Sequence, residues 1–169
     1  MKILAHTLAN LAKFCAILAG LLLIFITLMT CISVIGRDLI GKTIVGDFEL
    51  SGAAAGAAIA LFMPWCQVKR GNIMVDFFTA KASEATQNIM DRLGALLLGC
   101  VMALMAWRTS VGGLNSFRTN SETQILGFPE WIIYAVMVPP LALTVLIALH
   151  QGLFGFAKQT TEDNPELAV

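Results

Sequence analysis

The sequence predicts an all-α integral membrane protein of four transmembrane helices, and two observations carry that prediction. Of 169 residues, 57% are hydrophobic and only 13% are charged, too few charges to cover a soluble domain of this size. The charges are also gathered, leaving four uncharged windows: Phe14–Gly36, Leu50–Val68, Leu93–Trp107 and Trp131–Ala157. A hydrocarbon core about 30 Å thick is crossed by roughly 20 apolar helical residues. Strands of a membrane barrel would instead run about ten residues with strict alternation, and these windows are long and uniformly apolar. Spans are therefore expected at 14–36, 48–68, 90–112 and 130–152, in one membrane domain over residues 1–157.

Before the first span, Ile3, Leu4, Thr7, Leu8 and Leu11 recur at helical spacing. They predict a short helix at the membrane surface that then turns inward. The first window is too long for the apolar region of a secretory signal and lacks a small-x-small cleavage site, so it reads as a retained helix ending at Arg37-Asp38. The connection R-D-L-I-G-K-T-I-V-G holds two turn-permissive glycines, Gly41 and Gly46. Helix two then opens on Asp47 and Glu49. Acids there complement the positive end of the helix dipole by about 0.3–1 kcal/mol, so a capping role is the plain reading. The alternative is that Glu49 meets a basic group on a partner. Gly52 and Gly56, continued by Ala60, form a ridge of small residues that permits close helix approach in lipid. Whether that ridge meets this chain or a partner is left open.

After helix two, Lys69 and Arg70 sit where anionic head groups would lie, and Gly71 allows a bend. Met74, Phe77, Phe78, Ala82, Ala85 and Ile89 share one helical face; Asp76, Thr79, Ser83 and Gln87 share the other. That pattern predicts an amphipathic helix over 72–88 lying in the interface plane between helices two and three. The uncharged part of helix three spans only about 22 Å. Arg92 and Arg108 at its ends are expected to snorkel to the head groups, or Arg108 pairs with an acid on another molecule. Pro129 suits the first turn of helix four, Trp131 and Tyr134 suit the aromatic belt, and Pro139-Pro140 predict a kink. Residues 158–169 are polar and read as a cytoplasmic, disordered tail.

Seven basic residues (Lys2, Lys13, Lys69, Arg70, Lys81, Arg92, Lys158) fall on the side of the termini, and four (Arg37, Lys42, Arg108, Arg118) on the other. The positive-inside rule then places both termini in the cytoplasm. Cys15, Cys31, Cys66 and Cys100 lie inside or at the ends of the apolar windows with no C-x-x-C, which speaks against thiol oxidation. Neither a phosphate loop nor a metal cluster is visible, His6 and His150 are not stacked at mid-membrane, and no catalytic or cofactor-binding residue is expected. A stand-alone ion-coupled carrier would be expected to show an intramembrane carboxylate or matched repeats. The chain thus reads as a membrane scaffold rather than an enzyme, in contact with lipids and with no nucleic-acid partner. A membrane anchor of a redox complex and a self-assembling small channel are the competing readings.

Several short pieces, in order, resemble one family. They are Arg37 after helix one, G-D-F-E-L (46–50) opening helix two, K-R-G-N-I-M-V-D (69–76) after it, and S-E-T-Q-I-L-G-F-P-E-W-I-I-Y (121–134) leading into helix four. The chain resembles the small (DctQ/SiaQ-like) membrane subunit of tripartite ATP-independent periplasmic (TRAP) transporters. That resemblance implies a bacterial inner-membrane subunit. A large membrane subunit would carry the sodium and substrate sites and move as an elevator, and a periplasmic protein would deliver a sialic acid or C4-dicarboxylate. The small subunit would enlarge the static scaffold and need no cofactor of its own. Glu49, Gly52, Gly56, Arg37 and Arg108 are then the partner-interface candidates, with Lys69, Arg70, Trp131 and Tyr134 as interfacial anchors.

Overall fold

The computed structural model describes residues 2–69 and 84–154, which form four α-helices: α1 (Lys2–Ile40), α2 (Asp47–Val68), α3 (Glu84–Thr119) and α4 (Trp131–Phe154). All four are long and apolar enough to cross a membrane, as the uncharged windows predicted. Of these, α1 and α3 outrun their expected spans at both ends, whereas α2 and α4 match theirs to within two residues at either end. The N-terminal residues do not form a separate surface helix: α1 runs unbroken through them, with Lys13 exposed on its surface. Likewise α3 passes straight through Arg92 and Arg108. A charge that stays on the surface of a helix leaves the backbone hydrogen-bond ladder intact, so it does not end the helix. Of the interfacial helix expected over 72–88, residues 72–83 lie outside the described residues, and 84–88 belong to the start of α3. Arg70 and the tail 158–169 also lie outside them.

Backbone geometry, not charge, ends α1 and α3. At the end of α1, Gly41 takes a left-handed φ of 68° and its N–H returns to the Arg37 carbonyl at 3.1 Å. Glycine takes that conformation without a Cβ penalty. At the end of α3, Asn120 takes φ 49° and the Ser121 N–H reaches the Ser116 carbonyl at 3.1 Å. This is the six-to-one bond of a Schellman termination, with asparagine in the position it tolerates better than most residues. Meanwhile α2 and α4 run through Pro64, Pro139 and Pro140 as single helices. Within α4, the buried Thr144 hydroxyl donates to the Pro140 carbonyl at 2.8 Å.

The helices stand in a row, α1–α2–α4–α3. Neighbours in that order pack closely, α1 meets α4 lightly, and among the described residues the backbone of α3 approaches neither α1 nor α2. Burial follows the row: 33% of the most apolar stretch is buried in α2 and in α4, against 11% in α1 and 17% in α3. The two inner helices must therefore tolerate close neighbours on two sides. That explains the alanine-rich run of α2, where Ala54, Ala57, Ala58 and Ala60 are buried. Small side chains let backbones approach, and van der Waals contact replaces the hydrophobic force that lipid does not supply. Toward α2, α1 presents a narrow seam at 3.5-residue spacing, Ala12, Cys15, Ala19, Leu22, Ile26, Met29 and Ser33, all buried or half-buried. Its other faces carry exposed Phe14, Leu21, Ile24, Leu28 and Ile32. At the end of the bundle near the chain termini, Ala12, Leu143 and Ile147 close the core together with Trp65 and Val68. Deeper in, Ala60, Met102 and Leu141 bring α2, α4 and α3 together.

Candidate functional site

The first residues of α2 tie three parts of the chain together at the end of the bundle that carries loops 41–46 and 120–130. The N-cap of α2 is Gly46, at φ 78°, which has no side chain to offer the helix. The two acids that follow are engaged elsewhere. Asp47 accepts a hydrogen bond from the Ser33 hydroxyl of α1. Ser33 is 1% exposed, and its oxygen also lies 3.4 Å from the Ile44 N–H. A buried hydroxyl thus both donates and accepts, and it fixes α1, the 41–46 connection and α2 to one another.

Glu49 faces the other way. The loop between α3 and α4 folds on itself: the Thr123 N–H bonds the Phe128 carbonyl at 2.9 Å, the Gly127 N–H bonds the Thr123 carbonyl at 3.0 Å, and the Phe128 N–H bonds the Thr123 hydroxyl at 3.0 Å. The N–H groups of Ile125 and Leu126 are directed away from this network. Glu49 takes both, one on each carboxylate oxygen, at 2.9 and 3.1 Å. Charge-assisted bonds of this bidentate kind are stronger and more directional than neutral ones. Beside them the Leu126 side chain lies directly over Gly46, where a Cβ would fall 2.4 Å from Leu126 Cγ. So Gly46 and Glu49 hold the loop tip and Asp47 holds α1, while Phe48 between them is 84% exposed. Glu49→Ala is expected to free the loop tip while leaving the helices in place. Protease cleavage within 121–128 should accelerate, and so should labelling of a cysteine placed at Gln124. Unchanged rates would reduce Glu49 to complementing the helix dipole.

A second tie lies at the opposite end of α2. Gln67 is fully buried; its side-chain amide donates to Gln151 of α4 at 2.7 Å, and Gln151 donates back to the Gln67 carbonyl at 3.2 Å. Gln67→Leu should destabilise the chain in detergent by about 1–2 kcal/mol, because it leaves the Gln151 side-chain oxygen without its donor, while the bond to the main-chain carbonyl of residue 67 remains. Changing both glutamines to leucine should restore part of that loss. A double variant no better than the single one would contradict the pairing.

The residues singled out from the sequence separate here. Glu49 joins the loop-end knot: in the first turn of α2 it takes two backbone N–H groups of its own chain's loop. Arg37 stands exposed in the last turn of α1, where its charge complements the helix dipole. Gly52 is open, with nothing within 4 Å of a Cβ built there, whereas a Cβ at Gly56 would lie 3.9 Å from Met137 of α4. Lys69 closes the end of α2, its ammonium 5.3 Å from the centre of the Trp65 ring. Trp131 meets Phe117 edge to face at 5.6 Å, and Tyr134 lies over Gly112 and Gly113, so both aromatic residues also bind α3 to α4. Arg108 is exposed on α3 and makes no ion pair among the described residues. Ser33, Gln67 and Gln151 were not singled out. Their signal was available: each is a polar residue inside or at the end of an uncharged window, where lipid gives it no partner.

The described residues contain no group of three or more His, Cys, Asp or Glu placed to hold a metal ion. What this arrangement offers is a braced surface: α2 is fixed to α1, to the α3–α4 loop and to α4, and outward faces of α1 and α3 stay apolar. Among family models, one matches residues 26–157: tripartite ATP-independent periplasmic transporters, DctQ component. Comparisons with curated proteins and with solved structures gave no match.

Proposed function

The chain belongs to the DctQ family, the small permease subunits of TRAP transporters, and from that membership we propose that it binds a large permease subunit and serves as part of its fixed scaffold. The family is a transporter component, not an enzyme family, and works with a large membrane subunit and a substrate-binding protein. The protein is accordingly a multi-pass membrane protein. Beyond this, we read it as an inner-membrane subunit with both termini in the cytoplasm, from the excess of basic residues on the side of the termini. Its transporter takes up an organic acid of the sialic acid or C4-dicarboxylate class, driven by sodium. Sodium and substrate are handled on the large subunit.

The observation that supports a scaffold role best is the bracing of α2. A helix fixed at both ends to three neighbours suits a surface against which another subunit moves, and it leaves the apolar faces of α1 and α3 for lipid and partner. The knot residues Gly46, Asp47 and Glu49, the loop tip and Gln67 all fall within the matched stretch. The experiment is uptake in cells deleted for this chain alone and supplied with its transporter partners. Sodium-dependent uptake of labelled organic acid should disappear and return with the chain. Full uptake in its absence would overturn the proposal.

A further inference from the structure

Antiparallel packing of α3 on α4 fixes the depth of Arg108. Phe117 meets Trp131, Gly113 meets Tyr134, and Gly99 meets Ala148. Five residues inward from the Gly113–Tyr134 contact along each helix brings Arg108 level with Pro139. At about 1.5 Å per residue, that level lies about 12 Å inside Trp131. Trp131 opens an apolar stretch that continues to Leu153, and tryptophan at such a boundary marks the head-group level. Half of the hydrocarbon core is about 15 Å, so Arg108 emerges near the middle of the membrane and not at its edge. Helical side chains also lean toward their own N-terminus, which on α3 is away from the Trp131 level.

An arginine at that depth normally faces a protein interior and has a partner. Here it is exposed on the outer helix of the row, without an acid among the described residues. It stands in a shallow, mostly apolar groove with Val111, Gly112, Leu114, Asn115 and Arg118, where only Arg108, Asn115 and Arg118 are polar, on a helix whose neighbouring Leu97, Val101, Leu104 and Met105 are exposed and apolar. An acid carried on another membrane helix would supply both the missing charge and the depth. We propose that this face of α3 is where the large permease subunit docks, and that a carboxylate on one of its membrane helices pairs with Arg108. The proposal rests on the reading of this chain as a subunit bound to that partner, and it names the face and the chemistry of the contact.

Arg108→Leu separates the possibilities, because leucine at this depth suits lipid better than arginine does. The variant should reach the membrane at least as well as the native chain, yet recovery of the large subunit with the tagged chain in mild detergent should fall about tenfold. Arg108→Lys, which keeps the charge, should retain most of it. A photo-crosslinking residue at Val111 of the full chain in native membranes should label a helix of the large subunit that carries Asp or Glu. Undiminished recovery with Arg108→Leu, or labelling at Val111 of lipid alone or of a second copy of this chain, would overturn the assignment of the face while the native chain still brings down its large subunit. If the native chain brings down no large subunit, the functional reading itself fails and this contact with it.

Discussion

Gly46→Val is expected to destabilise the chain by roughly 2–5 kcal/mol, the largest loss among single changes in the loop-end knot. Two costs combine. Gly46 sits at φ 78°, where a side chain costs about 1–2 kcal/mol and a β-branched one is a genuine outlier. A Cβ there would also fall 2.4 to 3.0 Å from three carbons of Leu126, and overpacking of that kind costs about 1–3 kcal/mol. The two can be told apart. Leu126→Ala should relieve the clash but not the backbone conformation, and Gly46→Asn should tolerate the conformation while keeping the clash. Thermal unfolding in detergent, followed by tryptophan fluorescence, reads all four proteins. If Gly46→Val unfolded with the native midpoint, the loop tip could not be seated over Gly46, and the Glu49 bonds beside it would come into question too.

Gly113→Val is expected to push α3 away from α4. A Cβ at Gly113 would meet Tyr134 Cβ at 2.8 Å. That atom is fixed to the α4 backbone and cannot swing aside, so about 1–3 kcal/mol is lost. The rescue is specific: Tyr134→Ala keeps the offending atom and should not help, whereas Tyr134→Gly removes it and should recover part of the loss. At Gly94, where a Cβ meets nothing within 4 Å, Gly94→Ala should be neutral or stabilising by up to about 1 kcal/mol. Rescue by Tyr134→Ala equal to that by Tyr134→Gly would contradict the seam. This seam also sets the level of Arg108 against α4, so a shift of α3 would move the proposed docking face relative to the braced α2.

What could be read from the sequence was the membrane class and the number of spans, because uncharged length is a direct consequence of bilayer thickness. The helix ends were less legible. Charges delimited the windows, but α1 and α3 carry Lys13, Arg92 and Arg108 on their surfaces and stop only where Gly41 and Asn120 turn left-handed. The partner of Glu49 was not legible at all. It consists of two backbone N–H groups on a loop more than seventy residues away, and backbone donors have no signature in a sequence. Asp47 differs, since its partner Ser33 is a side chain, yet nothing in the spacing of the two announces the pair. For Arg108 the sequence left two readings open, snorkelling to the head groups or pairing with an acid on another molecule; the register of α3 on α4, which sets the arginine level with Pro139, has no signature in the spacing of either helix.

The most direct test of the central claim is purification of the tagged chain from its native membranes in mild detergent, with bound proteins identified and quantified by mass spectrometry. The predicted result is one large polytopic membrane protein at equal stoichiometry. Recovery of the chain alone as a defined homo-oligomer, or bound to an enzyme with a visible redox cofactor, would contradict it.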